Sequence, residues 1–301
     1  MKGEIDFHQK CSKIFFGTKK APQLPYSLDQ MSELAKNVVE RSVSVPGVQA
    51  KLSMSLVNEA RGLDSRLTVV GALGGNYIFK PPNTDFPEIP QNEHVTMRIA
   101  EALGIKVVPS SLIRLQSGEL SYITKRIDRT IDGGKIHMID MFQVTEAYDK
   151  YKSSMEKIGK ALNTYSDNTL LDKLYFFELS IFSFLCGNND MHLKNFSMIK
   201  TAYGWSLAPA YDLLNATILN PEDKEEMALT IEGKKKRLKL EHFVQFGKAL
   251  GLSPKQVSGV LKRFRVMNKT ASSFIDRSFL SKEMKSKYKL VMSERYERVY
   301  G

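Results

Sequence analysis

The sequence predicts an α+β fold with two lobes, a small β-rich N-lobe followed by a larger, all-helical C-lobe. Apolar segments with the period of a strand lie before about residue 126, whereas the segments after Arg129 repeat with the 3.6-residue period of a helix. The 301 residues are enough for two such lobes, since about 100 to 200 residues form a typical domain. We therefore place the N-lobe at residues 1–126 and the C-lobe at residues 127–301.

The strands of the N-lobe are predicted from apolar residues that alternate with polar ones or lie between turn residues. They cover residues 51–56, 77–80, 107–108, 112–115 and 122–124. An amphipathic helix is predicted over residues 27–41, after an irregular basic stretch. Asn92 is placed as the N-cap of a second helix, which ends at Gly104.

The helices of the C-lobe are predicted from apolar residues that recur every three or four positions. They lie near residues 140–150, 154–164, 169–186, 240–251, 254–267 and 282–292.

The composition is that of a soluble globular protein, with 42% hydrophobic and 26% charged residues. Two cysteines, Cys11 and Cys186, do not suggest a disulfide scaffold, and the first residues lack the apolar stretch of a secretory signal. A cytoplasmic location without membrane contact is therefore expected. The formal net charge is +11. The basic residues either attract polyanions or form a solvated face without a specific partner.

The segment from Gly187 to Phe196 carries an aspartate and an asparagine five residues apart, Asp190 and Asn195, and Asp212 follows. Phosphoryl transfer from ATP needs, in this order, a carboxylate that orients the attacking hydroxyl, an amide that holds Mg²⁺ and a carboxylate that holds metal against the triphosphate. By spacing alone, these residues also fit an ordinary turn. Together with features upstream, they predict a kinase that uses ATP and Mg²⁺.

Three upstream features complete this pattern. Lys80 ends an apolar strand, from which its ammonium group could contact the phosphates of ATP or simply reach water. Glu93 is a candidate partner of Lys80, and it could equally complement the dipole of its own helix. Residues 42–51 form a loop with one glycine, Gly47, which could cover the phosphates or be a plain turn.

His192 and Lys194 lie between the aspartate and the asparagine of the motif. Either could supply positive charge near the transferred phosphoryl group. For His192 we prefer the alternative, in which the imidazole supports the loop by hydrogen bonds.

Seven blocks of sequence, in order, resemble the HipA toxin kinases of bacteria. The blocks are Ser44-x-x-Gly47-x-Gln49-x-Lys51, Tyr77-Ile-Phe-Lys80, Asn92-Glu93, Tyr122-Ile-Thr-Lys-Arg126-Ile-Asp128-Arg129, Asp140-Met-Phe-Gln143, Gly187-Asn-Asn-Asp190-x-His-x-Lys-Asn195-Phe-Ser and Ala210-Tyr-Asp212-Leu. The resemblance covers residues from about 40 to 250. It implies a protein-kinase-like fold and a serine/threonine protein kinase activity. Known members phosphorylate aminoacyl-tRNA synthetases, which halts translation and causes growth arrest or persistence.

The resemblance also implies a role for each motif residue. Asp190 would be the catalytic residue, and Asn195 and Asp212 would bind Mg²⁺. Ser42 or Ser44 would be autophosphorylated, and the phosphoserine would favour an outward loop that no longer covers ATP. The residues assigned to ATP binding are Lys80, Gly47, Val48, Gln49, Lys125, Ile127, His192 and Lys194, with the backbone of residues 125–127 at the adenine.

The loop begins near residue 42, whereas longer HipA proteins carry a further portion before it, so the chain resembles the short, HipT-like form. In that form, a separate HipS-like protein supplies the N-terminal portion. A helix-turn-helix HipB-like protein is the other implied antitoxin partner, and DNA would be bound only indirectly, through the antitoxin.

Two other classes of function remain open from the residues. A small-molecule kinase, acting for example on aminoglycosides or lipids, also uses an Asp–Asn pair and a later metal-binding Asp, but the Ser-x-x-Gly-x-Gln loop argues against it. A non-catalytic component of a DNA-bound antitoxin complex would fit the basic charge. Such a component need not retain the lysine, both aspartates and the asparagine, all of which are present here.

Overall fold

The computed structural model describes residues 6–41, 51–58, 65–70, 74–83, 85–130 and 132–301. The chain forms two compact units. The first unit consists of Met1–His94 and Val108–Lys135, and the second of Val95–Val107 and Ile136–Gly301. No helix within the described ranges combines the length and the apolar composition that a membrane span requires.

The first unit is built on a five-stranded antiparallel sheet. Its strands are β1 (Leu52–Asn58), β2 (Ser65–Val70), β3 (Tyr77–Lys80), β4 (Ser110–Arg114) and β5 (Leu120–Lys125). They stand in the order β2-β1-β3-β5-β4. Because side chains alternate along a strand, Leu52 and Met54 of β1 enter the core while Ser53 and Ser55 stay partly exposed. The strand predicted at residues 107–108 is wrong, since Val107 makes only an isolated bridge to Ala210.

The helices of the first unit differ from the predicted ones at two points. They are α1 (Gln9–Phe16), α2 (Leu28–Arg41) and the start of α3 (Ile89–Ala102). Helix α1 lies just before the irregular basic stretch and was not predicted; its Phe15 and Phe16 are buried, with ring centroids 5.9 Å from that of Tyr77. The helix placed after Asn92 begins at Ile89 instead, and Asn92 is buried within it.

The second unit contains a smaller antiparallel sheet. Its strands, in the order β6-β7-β8, are β6 (Met138–Asp140), β7 (Ser197–Thr201) and β8 (Gly204–Leu207). The prediction of an all-helical C-lobe therefore needs correction, although the α+β class is confirmed. With three to five residues each, these strands are too short to show a clear period of two.

The second unit is otherwise helical. The helices of this part are α4 (Met141–Val144), α5 (Met155–Tyr165), α6 (Thr169–Leu185), α7 (Leu240–Ala249), α8 (Pro254–Phe264), α9 (Met267–Arg277) and α10 (Lys282–Tyr300). Helix α6 packs against α5, α7, α8 and α10. Only a single turn forms in the segment predicted near 140–150, and α9 was not predicted.

Helix α6 positions the segment that carries the sequence motif. Phe176, Phe177 and Phe182 are fully buried, because from Phe176 to its end the helix is covered on all sides. Just beyond its end, Gly187 has a φ of 77°, and a Cβ there would lie 2.7 Å from Oδ1 of Asn215. Glycine is therefore required at the point where the chain leaves the helix.

Candidate active site

Lys80 and Glu93 form a buried ion pair in the first unit. Nζ of Lys80 lies 2.6 Å from Oε1 of Glu93, and the two residues are 3% and 1% exposed. Lys80 ends β3 opposite Tyr122 of β5, whose ring centroid lies 5.3 Å from the ammonium nitrogen. The structure therefore brings the lysine together with its candidate partner.

The burial of this pair carries a cost. Moving a carboxylate and an ammonium group out of water costs several kcal/mol per ion, and their attraction does not always offset this cost. The pair is therefore better explained as a way of holding one cation in place than as a source of stability. The interpretation of Lys80 as a strand-end lysine that reaches water is wrong, because its side chain is almost completely covered.

The segment predicted to contact adenine, residues 125–127, is held by backbone hydrogen bonds. The amide nitrogens of Lys125 and Arg126 donate to backbone carbonyls 2.9 and 2.8 Å away. The ammonium group of Lys125 donates to the carbonyl of Ile14 at 3.3 Å, and burial lowers its pKa. Within the described part of the chain, the amide of Ile127 makes no such bond, so it is the one of the three that is available to a ligand.

In the second unit, the segment after α6 closes into a loop around the backbone carbonyl of Asp190. This oxygen accepts hydrogen bonds from the amide nitrogen of His192 at 2.8 Å and from Nδ2 of Asn195 at 3.0 Å. The amide nitrogen of Asn195 donates to the carbonyl of His192 at 2.9 Å. The five-residue spacing of the motif thus has a structural cause, because the asparagine side chain folds back onto the aspartate backbone.

The side chain of Asp190 is half-buried and is contacted by a tyrosine. Oδ1 of Asp190 accepts a 2.8 Å hydrogen bond from the hydroxyl of Tyr151, which lies between α4 and α5. Burial and the charge of Asp190 raise the pKa of the Tyr151 phenol, so it remains a donor at neutral pH. Sequence reasoning missed Tyr151, since no local pattern links it to a loop 39 residues later.

His192 and Lys194 lie in different environments. His192 is buried, and its ring centroid lies 5.0 Å from that of Tyr151 in an edge-on arrangement. This burial favours a supporting role for the imidazole. Lys194 is exposed, with Nζ 5.1 Å from the ring centroid of Phe142, so its charge is accessible to a ligand.

Asp212 has a left-handed backbone conformation, with a φ of 59°. Few residues other than glycine adopt it, although Asp and Asn tolerate it better than most. The amide nitrogen of Ala210 donates to the carbonyl of Lys106 at 2.8 Å, and the hydroxyl of Tyr211 donates to the carbonyl of Lys194 at 2.9 Å. Neighbouring contacts therefore hold the segment of Asp212 in place, as is common for strained residues at functional sites.

Asn195 and Asp212 have the donor chemistry that suits Mg²⁺. This ion prefers oxygen ligands, and it usually keeps water and phosphate oxygens beside one or two protein groups. Because Nδ2 of Asn195 donates to Asp190, the amide oxygen is the atom suited to a metal. Among the described residues, no group of three or more His, Cys, Asp or Glu side chains could hold an ion. The two oxygen donors fit Mg²⁺ that is bound together with phosphates, because phosphate and water oxygens supply its other ligands.

Five of the predicted site residues lie outside the described residues. They are Ser42, Ser44, Gly47, Val48 and Gln49. Their assignments to autophosphorylation and to ATP binding stay predictions.

The sequence matches known proteins over most of its length. Residues 43–271 match the family model described as the HipA-like C-terminal domain. A candidate kinase of Haemophilus influenzae is 28% identical over 262 residues, which are 77% of this chain and 74% of that protein. The serine/threonine-protein kinase toxin HipA of Shewanella oneidensis is 24% identical over 210 residues, which are 63% of this chain and 47% of that protein. The chain thus spans about half the length of this second relative.

Two solved structures share the fold. The HipA complex with HipB and operator DNA from Shewanella oneidensis MR-1 contains a chain that aligns with a TM-score of 0.71 and 21% identity, over 92% of this chain and 71% of that one. The proinflammatory kinase CtkA of Helicobacter pylori aligns with a TM-score of 0.56 and 18% identity, over 74% of this chain and 87% of that one. At these identities the likeness establishes the fold, and it confirms the predicted two-lobed, protein-kinase-like class.

Proposed function

The chain belongs to the HipA-like C-terminal domain family, and we propose that it is an ATP- and Mg²⁺-dependent serine/threonine protein kinase. The observation that carries this proposal is the presence in one chain of the buried Lys80–Glu93 pair and of the closed loop with Asp190 and Asn195. Relatives named as kinases support it. The proposal includes an N-lobe, residues 1–126, with the phosphate-binding lysine, and a C-lobe, residues 127–301, with the catalytic and metal-binding residues.

Each charged residue has a distinct task in this proposal. Lys80, held by Glu93, contacts the phosphates of ATP. Asp190 accepts a hydrogen bond from the substrate hydroxyl and receives its proton as that oxygen bonds to the γ-phosphorus of ATP, whose bond to the departing ADP breaks. Asn195 and Asp212 bind Mg²⁺, which neutralises charge on the phosphates.

The remaining contacts with ATP are assigned to a backbone amide, to an exposed lysine and to the loop before β1. The amide of Ile127 donates to the adenine, since the amides of its two predecessors are already used. Lys194 offers positive charge to the phosphates, while the buried His192 supports the loop. Gly47, Val48 and Gln49 belong to the loop that covers ATP.

We further propose that this kinase is the toxin of a bacterial toxin–antitoxin system. The Shewanella oneidensis relative is named a toxin, and the solved HipA is in a complex with HipB and operator DNA. The proposed partners are a DNA-binding, HipB-like antitoxin and a HipS-like protein. The proposed substrate is a cytoplasmic protein, with an aminoacyl-tRNA synthetase as the first candidate, whose phosphorylation would inhibit translation.

Autophosphorylation at Ser42 or Ser44 is the regulatory part of the proposal. A phosphate adds about −1.5 to −2 charge at pH 7, which repels the triphosphate of ATP. The modified loop would therefore no longer cover the nucleotide. Ser44 is favoured because it lies three residues before Gly47, as in the family motif.

The proposal is tested by incubating the purified chain with radiolabelled ATP and Mg²⁺, with and without a bacterial lysate. A protein kinase labels itself or a lysate protein, and peptide mass spectrometry should find phosphate at residue 42 or 44. Label found only in small molecules would support a small-molecule kinase instead. No transfer under any condition would favour the non-catalytic alternative.

A further inference from the structure

Tyr151 has no role in the assignments above, yet its hydroxyl touches the proposed catalytic carboxylate. The 2.8 Å hydrogen bond to Oδ1 of Asp190 joins residues 39 positions apart in the chain. A contact of this kind could position the carboxylate or obstruct it. The surroundings of the tyrosine distinguish the two.

The segment of Tyr151 is fastened on both sides. On one side, the carbonyl of Lys150 accepts a 3.2 Å hydrogen bond from the amide of Leu193, within the loop of Asp190. On the other side, the amide of Met155 donates to the carbonyl of Thr230 at 2.9 Å. These bonds hold the backbone on both sides of Tyr151, so the base of its side chain keeps a fixed position beside the loop of Asp190.

The ring of Tyr151 is also held by side chains. Its centroid lies 4.9 Å from Nζ of Lys150 and 5.0 Å from the ring centroid of His192. The backbone amide of Tyr151 donates to Oδ1 of Asp149 at 2.8 Å. These contacts involve the ring and the backbone amide of Tyr151, so its hydroxyl is left to donate to Asp190.

The phenol keeps its proton at neutral pH, so it can donate to Asp190. Its pKa is raised, first by burial and then by the charges and hydrogen bond of the nearby carboxylates of Asp190, Asp149 and Asp223. A hydrogen bond from such a donor fixes how the carboxylate is turned about its Cβ–Cγ bond. The orientation decides which carboxylate oxygen meets an incoming hydroxyl.

We propose that Tyr151 is a positioning residue, whose hydroxyl orients the Asp190 carboxylate for phosphoryl transfer to a protein hydroxyl. This inference rests on the proposed catalytic role of Asp190. It adds a specific requirement, that the chemical step should depend on one hydroxyl group outside the sequence motif.

The test compares Tyr151→Phe with wild type in a steady-state assay of ADP formation from Mg²⁺–ATP, with casein as the acceptor protein. Tyr151→Phe keeps the ring and its contacts with Lys150 and His192 and removes only the hydroxyl. We expect kcat to fall roughly tenfold to a hundredfold, as for the loss of a hydrogen bond to a charged group. The KM for ATP and the Tm should stay unchanged, a split that a merely structural role would not produce. Tyr148→Phe is the matched control, because Tyr148 lies on the same connection and is fully exposed.

The outcomes separate this inference from the function on which it rests. Equal kcat values for Tyr151→Phe and wild type would overturn the positioning role alone. A faster variant would show that the tyrosine obstructs Asp190, and parallel losses of Tm and ATP affinity would show a structural role. If the wild-type protein transfers no phosphate to casein, to itself or to any protein of a bacterial lysate, the proposed kinase activity itself is wrong.

Discussion

The two units hold their proposed functional charges in opposite ways. In the first, Lys80 is 3% exposed and is paired with the carboxylate of Glu93. In the second, Asp190 is half-buried, and its Oδ1 accepts a hydrogen bond from the neutral phenol of Tyr151. A cation that binds phosphate only has to stay in place, whereas a carboxylate that receives a proton must remain open to a substrate hydroxyl. The difference in enclosure matches this difference in task.

Substitutions should therefore behave differently in the two units. Removing one member of an enclosed ion pair leaves the other charge buried, so activity and stability should fall together. A half-exposed carboxylate keeps part of its contact with water, so altering it should lower activity with little change in stability.

The largest expected effect is that of Asp190→Asn. The amide keeps the shape of the side chain and an oxygen that can accept from Tyr151, but it cannot take up the substrate proton. Phosphoryl transfer should fall by at least about a hundredfold, with no change in Tm. Both are measured on purified protein, by radiolabel transfer and by thermal denaturation. Glu222→Gln, at an exposed carboxylate of the same unit, is the control and should retain full activity. Wild-type transfer by the Asp190 variant would remove the residue from its proposed role.

The next effect is that of Lys80→Met, which should cost both ATP binding and stability. Leaving the Glu93 carboxylate buried without the Lys80 ammonium group should lower the free energy of unfolding by about 3–5 kcal/mol. The double variant Lys80→Met/Glu93→Met removes both charges, so it should be more stable than the single variant while still binding ATP weakly. Denaturant unfolding and calorimetry with Mg²⁺–ATP measure the two properties. If Lys80→Met is as stable as wild type, the loss of the Lys80 charge does not destabilise the buried Glu93 carboxylate, and our explanation is wrong.

A smaller effect is expected for Asp212→Asn. Asparagine also tolerates a left-handed backbone, so the fold should be retained while the metal site loses a charge. The gain in ATP affinity on adding Mg²⁺ should shrink about tenfold, an effect of about 1.4 kcal/mol. Calorimetry with and without Mg²⁺ measures this gain. If it is the same in both proteins, Asp212 does not bind the metal.

The pair Asp212→Gly and Asp212→Ala separates charge from backbone strain. Both remove the carboxylate, but only glycine adopts the 59° φ without penalty. The alanine variant should therefore be less stable than the glycine variant by about 1 kcal/mol, with equal loss of Mg²⁺ dependence.

The sequence alone predicted the parts of the site whose residues lie close together along the chain. Asp190 and Asn195 lie in one loop. Their separation of five residues is the one that lets the Asn195 side chain donate to the Asp190 carbonyl, so the pair could be recognised from the sequence. Lys80 and Glu93 lie on consecutive elements, which made the second a candidate partner of the first. Tyr151 was out of reach, because its contact depends on how a connection between two helices packs against a distant loop.

The errors in the predicted fold also have physical causes. Asn92 fits the rule for an N-cap, but the helix begins three residues earlier at Ile89, which is buried. Helix α1 is short and rich in lysine, so the buried Phe15 and Phe16 become informative only when the sheet that covers them is known. Tertiary packing decided both cases.

The smallest effect is expected for Lys125→Met. This variant tests whether a lysine of the first unit needs a buried carboxylate partner, as Lys80 has, in order to contribute to nucleotide binding. Lys125 lies in the segment assigned to adenine, but its ammonium group contacts the carbonyl of Ile14 instead of a carboxylate. If the nucleotide is bound there through the amide of Ile127, the affinity for Mg²⁺–ATP should stay within about twofold of wild type. A larger loss, measured by calorimetry beside Lys80→Met, would show that the Lys125 side chain binds nucleotide.

The pH dependence of stability provides a second comparison between wild type and Lys125→Met. Burial lowers the pKa of Lys125 below its ordinary value of 10.5, so the unfolded chain binds this proton more tightly than the folded one. As pH rises through the lowered pKa toward 10.5, the unfavourable proton is lost from the folded state, and the stability of wild type should rise relative to that of Lys125→Met. Denaturant unfolding of both proteins between neutral pH and 10.5 measures the difference. A difference that is constant with pH would show that the Ile14 contact compensates fully for burial, so that this lysine, unlike Lys80, carries no cost of enclosure.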